Sequence, residues 1–199
     1  MGKQDEKNIE RSGRVKTKLI KDLMVPISEY ATVPEDATLC EAVASLKQSQ
    51  ERFDKGKYRH RAILVYGPNN DIVGKISMIS VLRGLEPKYE EMLSDKDSKY
   101  VTGFTRRYQK VMMEQLQLWE SPLARICEKS AHLLVKTFMD TPHEREFIEA
   151  EASLDEAIHQ LVLGSHQSLL VTEDEKVVGI LRLTDVFEVV AEAVTACEI

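Results

Sequence analysis

Two well-separated stretches of this chain order their apolar and polar positions in the same way. IVGKISMISVLRGL (Ile72–Leu85) and VVGILRLTDVFEVV (Val177–Val190) each run from apolar residues through a glycine and an alternating segment into an apolar helix start. Each follows a strand-like run, AILVY from Ala62 or SLLVT from Ser168. GPNND or EDEK, both turn-forming, intervenes, so each pair predicts a hairpin. Upstream stand TLCEAVASL and SLDEAIHQL, with apolar residues at helical spacing. Thr38 and Ser153 precede them, with Glu41 and Glu156 three positions on, which is the capping-box pattern.

These similarities hold a common register. At an offset of 115, Lys21–Met24 falls on Lys136–Met139, Leu39 on Leu154, Ala42 on Ala157, Val43 on Ile158 and Leu46 on Leu161. The offset drops to 106 at Val65/Val171 and 105 at Gly74/Gly179, so the first copy carries about ten extra residues near Gln50–His60. The repeating unit reads as short strand, helix, strand, turn, strand, helix. At roughly 55 to 65 residues it is marginal for burying a core alone, and two copies packed about a pseudo-twofold axis are expected. The predicted class is α/β (α+β). A polar N-terminal tail (1–18) precedes repeat one (19–85), a helical insert (86–125) and repeat two (126–199). In the insert, Tyr100, Phe104, Tyr108, Val111, Met112, Leu116 and Trp119 form one helical face, with Arg106, Arg107 and Lys110 between them. Ser121-Pro122 opens a further short helix, PLARICEK.

Composition narrows the function classes. The 199 residues carry a net charge of −6, so a nucleic-acid partner is not expected. Cys40, Cys127 and Cys197 have neither disulfide nor metal-ligand spacing. No signal peptide or membrane-spanning run is found, and a cytoplasmic protein is the expectation. The scattered histidines His132, His143, His159 and His166 form no metal pattern, and His60-Arg61 reads as a solvated loop. No GxSxG, HExxH, GxxxxGK[ST] or GxGxxG occurs, so neither catalytic residues nor a required cofactor is expected.

The repeated pieces LMVP…TVPEDATLCEAVASL and FMDT…ASLDEAIHQL…VVGILRLTDVFEVV resemble the CBS domain in its tandem arrangement, the Bateman module. The resemblance implies two β-α-β-β-α units with a cleft between them. In many members such clefts bind AMP, ADP, ATP or S-adenosylmethionine. It also implies a motif of glycine, an apolar residue, any residue, Thr or Ser, two residues, then Asp, with the Asp holding the ribose hydroxyls. One carboxylate can accept both O–H groups of a diol, and the helix dipole favours anions at that end.

The second copy supplies Gly179 and Asp185 but has Arg182 at the hydroxyl position. The first supplies Gly74 and Ser77 but has Ser80 at the Asp position. One ligand site on Asp185, with Thr184 beside it and Arg182 pairing with a phosphate, is therefore expected. A site on Ser77 and Ser80 would lack its diol acceptor and be weak or empty. The competing reading pairs Arg182 with Asp185 itself. A homodimer is also expected, together with an unidentified downstream protein. The alternative function is a ligand-free dimer scaffold.

Overall fold

The computed structural model describes residues 18–52, 61–86, 88–89, 106–115 and 125–195. In chain order its strands are β1 (Val25–Pro26), β2 (Thr32–Pro34), β3 (Ala62–Tyr66), β4 (Ile72–Ser77), β5 (Phe147–Glu149), β6 (Ser168–Glu173) and β7 (Lys176–Arg182). The helices are α1 (Leu39–Arg52), α2 (Met78–Leu85), α3 (Arg106–Gln115), α4 (Ile126–His132), α5 (Leu154–Gly164) and α6 (Leu183–Thr195). The mixed α/β fold with two like repeats is the one the sequence pattern predicts. α3 lies within the predicted insert, and α4 overlaps the end of PLARICEK and runs on to His132. The tail to residue 17, most of the Gln50–His60 insertion, Tyr100, Phe104, Leu116, Trp119, Ser121-Pro122 and Cys197 lie outside the described residues, as do the side chains of Arg106, Arg107, Tyr108 and Met112.

The chain forms two compact units, and neither is a continuous stretch. Among the described residues, one gathers 18–31, 49–52 and 141–195; the other gathers 32–48, 61–86, 88–89, 106–115 and 125–140. In the unit of the second repeat, the sheet order is β1-β7-β6-β5. β5 runs parallel to β6, and β6 antiparallel to β7. Ile20, Ile148, Leu154, Ala157, Leu161, Leu169, Val171, Leu181, Val186 and Val189 form its core. In the unit of the first repeat, the order is β2-β3-β4, with β2 parallel to β3 and β3 antiparallel to β4. Ile63, Leu64 and Val65 on its central strand are almost wholly buried, which explains an apolar run without alternation.

Local chemistry accounts for the ends of these elements. Thr38 and Glu41 form a reciprocal cap on α1: the Thr38 backbone N–H donates to Glu41 Oε2 at 2.7 Å, and the Glu41 N–H donates to Thr38 Oγ1 at 3.3 Å. Ser153 Oγ accepts from the Glu156 N–H at 3.2 Å on α5. The β6–β7 hairpin turns on Asp174 and Glu175, both with positive φ (49° and 63°). Each hairpin has an irregular register at the equivalent place, after Val65 and after Val171.

The predicted match of Lys21–Met24 with Lys136–Met139 has a topological consequence. The arm that opens the first repeat is seated on the second: the Ile20 N–H donates to the Ala152 carbonyl (3.1 Å) and the Lys21 N–H to that of Ala150 (3.0 Å). The corresponding arm of the second repeat is seated on the first: the Val135 N–H donates to the Ala37 carbonyl (2.8 Å) and the Lys136 N–H to that of Glu35 (3.1 Å). Leu19 bridges Ser153 and Leu134 bridges Thr38; Val25 pairs with Ile180 and Asp140 with Lys75. Ile20 and Val135 are completely buried, so each arm plugs a core rather than lying over it.

The two glycines of the sequence motif belong to this crossing. A Cβ on Gly179 would lie 2.8 Å from the Val25 carbonyl oxygen and 2.7 Å from Met24 Sδ. One on Gly74 would collide with Met139 Sδ. At both positions an arm passes close by, with its backbone against Gly179 and a methionine side chain against Gly74.

Candidate functional site: two strand-to-helix junctions

The candidate residues lie where β4 enters α2 and where β7 enters α6. In the first junction Ser77 is the N-cap of α2, with extended backbone (φ −88°, ψ 167°). Its Oγ accepts from the Ser80 N–H at 3.1 Å, and Ser80 Oγ accepts from the Ser77 N–H at 2.9 Å, a capping box built from two serines. The two hydroxyls are 2.6 Å apart. Ser80, fully buried, donates its O–H to Asp140 Oδ2 at 2.5 Å. That leaves the Ser77 hydroxyl to donate to Ser80, so a directed chain runs from Ser77 through Ser80 to a carboxylate.

Asp140 belongs to the arm that seats on the first repeat. Its backbone exchanges two 2.9 Å hydrogen bonds with Lys75 on β4. Arg83 Nη1, one turn along α2 from Ser80, donates to Asp140 Oδ1 at 3.3 Å. The Asp140 and Arg83 side chains remain 39% and 45% exposed.

In the second junction, Arg182 occupies the place of Ser77 and Asp185 that of Ser80. α6 begins at Leu183, so Thr184 lies in its first turn. Arg182 Nε donates to Asp185 Oδ2 at 2.6 Å, and Nη2 donates to Oδ1 at 2.5 Å. This is a two-pronged guanidinium–carboxylate pair. The side chains are only 9% and 14% exposed. The competing sequence reading, Arg182 paired with Asp185 itself, describes this geometry. Thr184 is half-buried beside the pair.

The structure thus brings Ser77 and Ser80 together, and Arg182, Thr184 and Asp185 together, in separate junctions. Sequence reasoning missed Asp140 and Arg83. Asp140 stands where the repeat has Val25 in its other copy, and a charged residue at a strand-pairing apolar position was the available signal. The groups with displaced protonation belong to an arm and a helix cap. Lys21 is raised by its hydrogen bond and attraction to Glu151, and Glu41 is lowered by the Thr38 hydrogen bonds. Among the described residues, no group of three or more His, Cys, Asp or Glu side chains is placed to hold a metal ion. None of the described helices is long and apolar enough to cross a membrane.

Two segments of the chain, 20–87 and 135–192, match the model of the CBS domain and together make up more than half of it. The chain belongs to the CBS-domain family. No curated protein matches the sequence. Solved CBS structures share the fold at low identity. The CBS domain of a CBS domain-containing membrane protein from Sphaerobacter thermophilus superposes with a TM-score of 0.63 at 19% identity, covering 94% of this chain and 96% of that one. CBSX2 in complex with AMP gives 0.52 at 16% identity, covering 87% and 96%. The CBS domain of the bacterial CNNM/CorC family Mg2+ transporter in complex with ATP gives 0.56 at 16%, covering 98% and 99%. The crossed arms, capped helices and polar junctions are therefore features of a tandem CBS protein.

Proposed function

We propose that this tandem CBS protein is a regulatory module that binds an adenine nucleotide, or another adenosyl ligand, at a strand-to-helix junction. The observation that carries this reading is the recurrence, at the two equivalent strand-to-helix junctions, of a carboxylate paired with an arginine: Asp140 with Arg83 and Asp185 with Arg182. A carboxylate accepts from a ribose diol and a guanidinium pairs with a phosphate. That distant CBS structures hold AMP and ATP supports the ligand class. The polar groups on offer are Ser77, Ser80, Asp140 and Arg83 in one junction and Arg182, Thr184 and Asp185 in the other. The protein acts without catalysis: a ligand that prefers one conformation of the module biases its contacts with a downstream protein. The proposed setting is the cytoplasm, in keeping with free, exposed Cys40 and Cys127.

Thermal unfolding with AMP, ADP, ATP and S-adenosylmethionine tests the reading. Ligand at about 100 times its dissociation constant should stabilise the fold by about 2.7 kcal/mol, a shift of several degrees. A flat response to all four compounds overturns it.

A second reading has its own support. α2 exposes Met78, Ile79 and Leu82, and α6 exposes Leu183, Phe187 and Val194. Met78 and Leu183, like Leu82 and Phe187, are equivalent in the repeat, so both copies leave the same helical face uncovered. A homodimer through these faces would serve as a scaffold with or without ligand. Light scattering on Leu82→Glu and Phe187→Glu tests it; unchanged mass in both variants excludes this interface.

A further inference from the structure

The two junctions hold the same pair of charges in different states, and this difference assigns a site. Resting on the nucleotide reading above, we infer that the first repeat's junction is the nucleotide site, with Asp140 as the diol acceptor and Arg83 as the phosphate partner. The second junction is closed by its own ion pair. This reverses the ranking expected from the motif, which favoured Asp185.

The argument is one of acceptor capacity. An ionised carboxylate has about four lone-pair directions on its two oxygens. Asp185 spends both oxygens on one guanidinium, and the pair is almost wholly buried. A diol could bind there only by separating two desolvated charges before any contact with ligand forms. Asp140 receives one hydrogen bond on each oxygen, from Ser80 and from Arg83, the latter long at 3.3 Å. More than a third of its side chain faces solvent, so acceptor capacity remains on each oxygen.

The surroundings hold Asp140 in place while leaving it open. Its backbone is pinned to Lys75 by two hydrogen bonds, and Ser80 donates to Oδ2 from a buried position. Because the Ser80 hydroxyl is oriented by the Ser77 cap, the carboxylate needs little reorganisation to receive a ligand. Arg83 is nearly half exposed and makes one long contact to the carboxylate, so its remaining N–H donors are available to a phosphate. The resulting site is an acceptor and a cation side by side, which matches a nucleoside phosphate and not a bare anion or a bare sugar. The carboxylate missing at Ser80 is thus supplied from 60 residues away, by the arm.

Direct titration of the full-length protein with AMP, ATP and adenosine tests the assignment. Asp140→Asn keeps shape but removes the charge, and should weaken AMP and ATP by about tenfold or more. Arg83→Ala should remove most of the advantage of AMP over adenosine while leaving adenosine binding within about twofold. Asp185→Asn should bind like wild type when measured below its own melting temperature. Loss of binding in Asp185→Asn with full binding in Asp140→Asn overturns the assignment and keeps the nucleotide reading. An Arg83→Ala protein that still prefers AMP removes the phosphate role. Absence of binding to wild type overturns the nucleotide reading itself, and this assignment with it.

Discussion

The junction after β4 and the junction after β7 share a backbone but solve one electrostatic problem in two ways. In the second repeat, arginine and aspartate come from one local segment and neutralise each other in a nearly dry setting. In the first, the cap is two neutral serines, and the charge arrives on a separate segment at a half-exposed position. The comparison shows that a motif position and the chemistry expected there can part company. Asp185 stands at the motif's carboxylate position with both oxygens paired to Arg182, whereas Ser80 stands at that position in the other copy and donates to the carboxylate of Asp140. Local ion pairing turns one junction into a structural fastener and leaves the other exposed.

The largest test of this contrast is the removal of one charge. Arg182→Met strands the buried Asp185 carboxylate and should cost about 3 kcal/mol, whereas Arg83→Met, acting on an exposed pair, should cost less than about 1 kcal/mol. The double variant Arg182→Met/Asp185→Leu should recover most of the loss, since a buried pair can be replaced by apolar groups. Urea unfolding of the four proteins checks this; equal losses in the two arginine variants would break the contrast.

The crossings come next. Gly179→Ala drives a methyl toward a backbone oxygen, while Gly74→Ala meets only the side chain of Met139. The former should cost about 2 kcal/mol and the latter distinctly less, because a methionine can turn away and a peptide carbonyl cannot. If Gly74→Ala is the more harmful, the arm on the first repeat is the tighter one.

The hairpin turns give a smaller effect. Asp174 and Glu175 both adopt positive φ, which aspartate tolerates and glutamate resists. Glu175→Gly should therefore stabilise the protein by about 0.5–1 kcal/mol, after allowing for the freedom glycine gains in the unfolded chain. A rise in the denaturation midpoint without a change in slope is the expected readout.

The smallest effect is the acid titration of the α1 cap. Glu41 has a folded-state pKa below its ordinary value because Thr38 donates to its ionised form. Its contribution is present above the ordinary carboxylate pKa and disappears as pH falls through the lower folded value. The stability gap between wild type and Glu41→Gln should be visible at neutral pH and close in strong acid. A gap that persists there would mean that charge is not its source.

Much of this architecture was legible in the amino-acid order. The paired helices announced themselves through Thr38/Glu41 and Ser153/Glu156, the hairpins through their turn residues, and the repeat through its constant register. The crossing of the arms was not legible for a physical reason. In a chain with two like copies, each arm fits either seat at the same relative position, so the pattern is identical whether an arm folds on its own copy or on the other. The Arg182–Asp185 pair could be anticipated because residues three apart on a helix start are neighbours. Asp140 could not, because its approach to Ser80 depends on that undecided crossing.

The crossed arms also set a timetable for synthesis. Lys21 bonds to Glu151, 130 positions later in the chain. At about 5–20 residues per second, a ribosome delivers the seat roughly 7 to 26 seconds after the arm. Through that interval Ile20, Leu23 and Met24 have no finished core to enter, and the nascent chain carries them uncovered. Ile20, Leu23 and Met24 are thus among the last residues to settle, and a chaperone that shields this apolar segment would find its task in that delay.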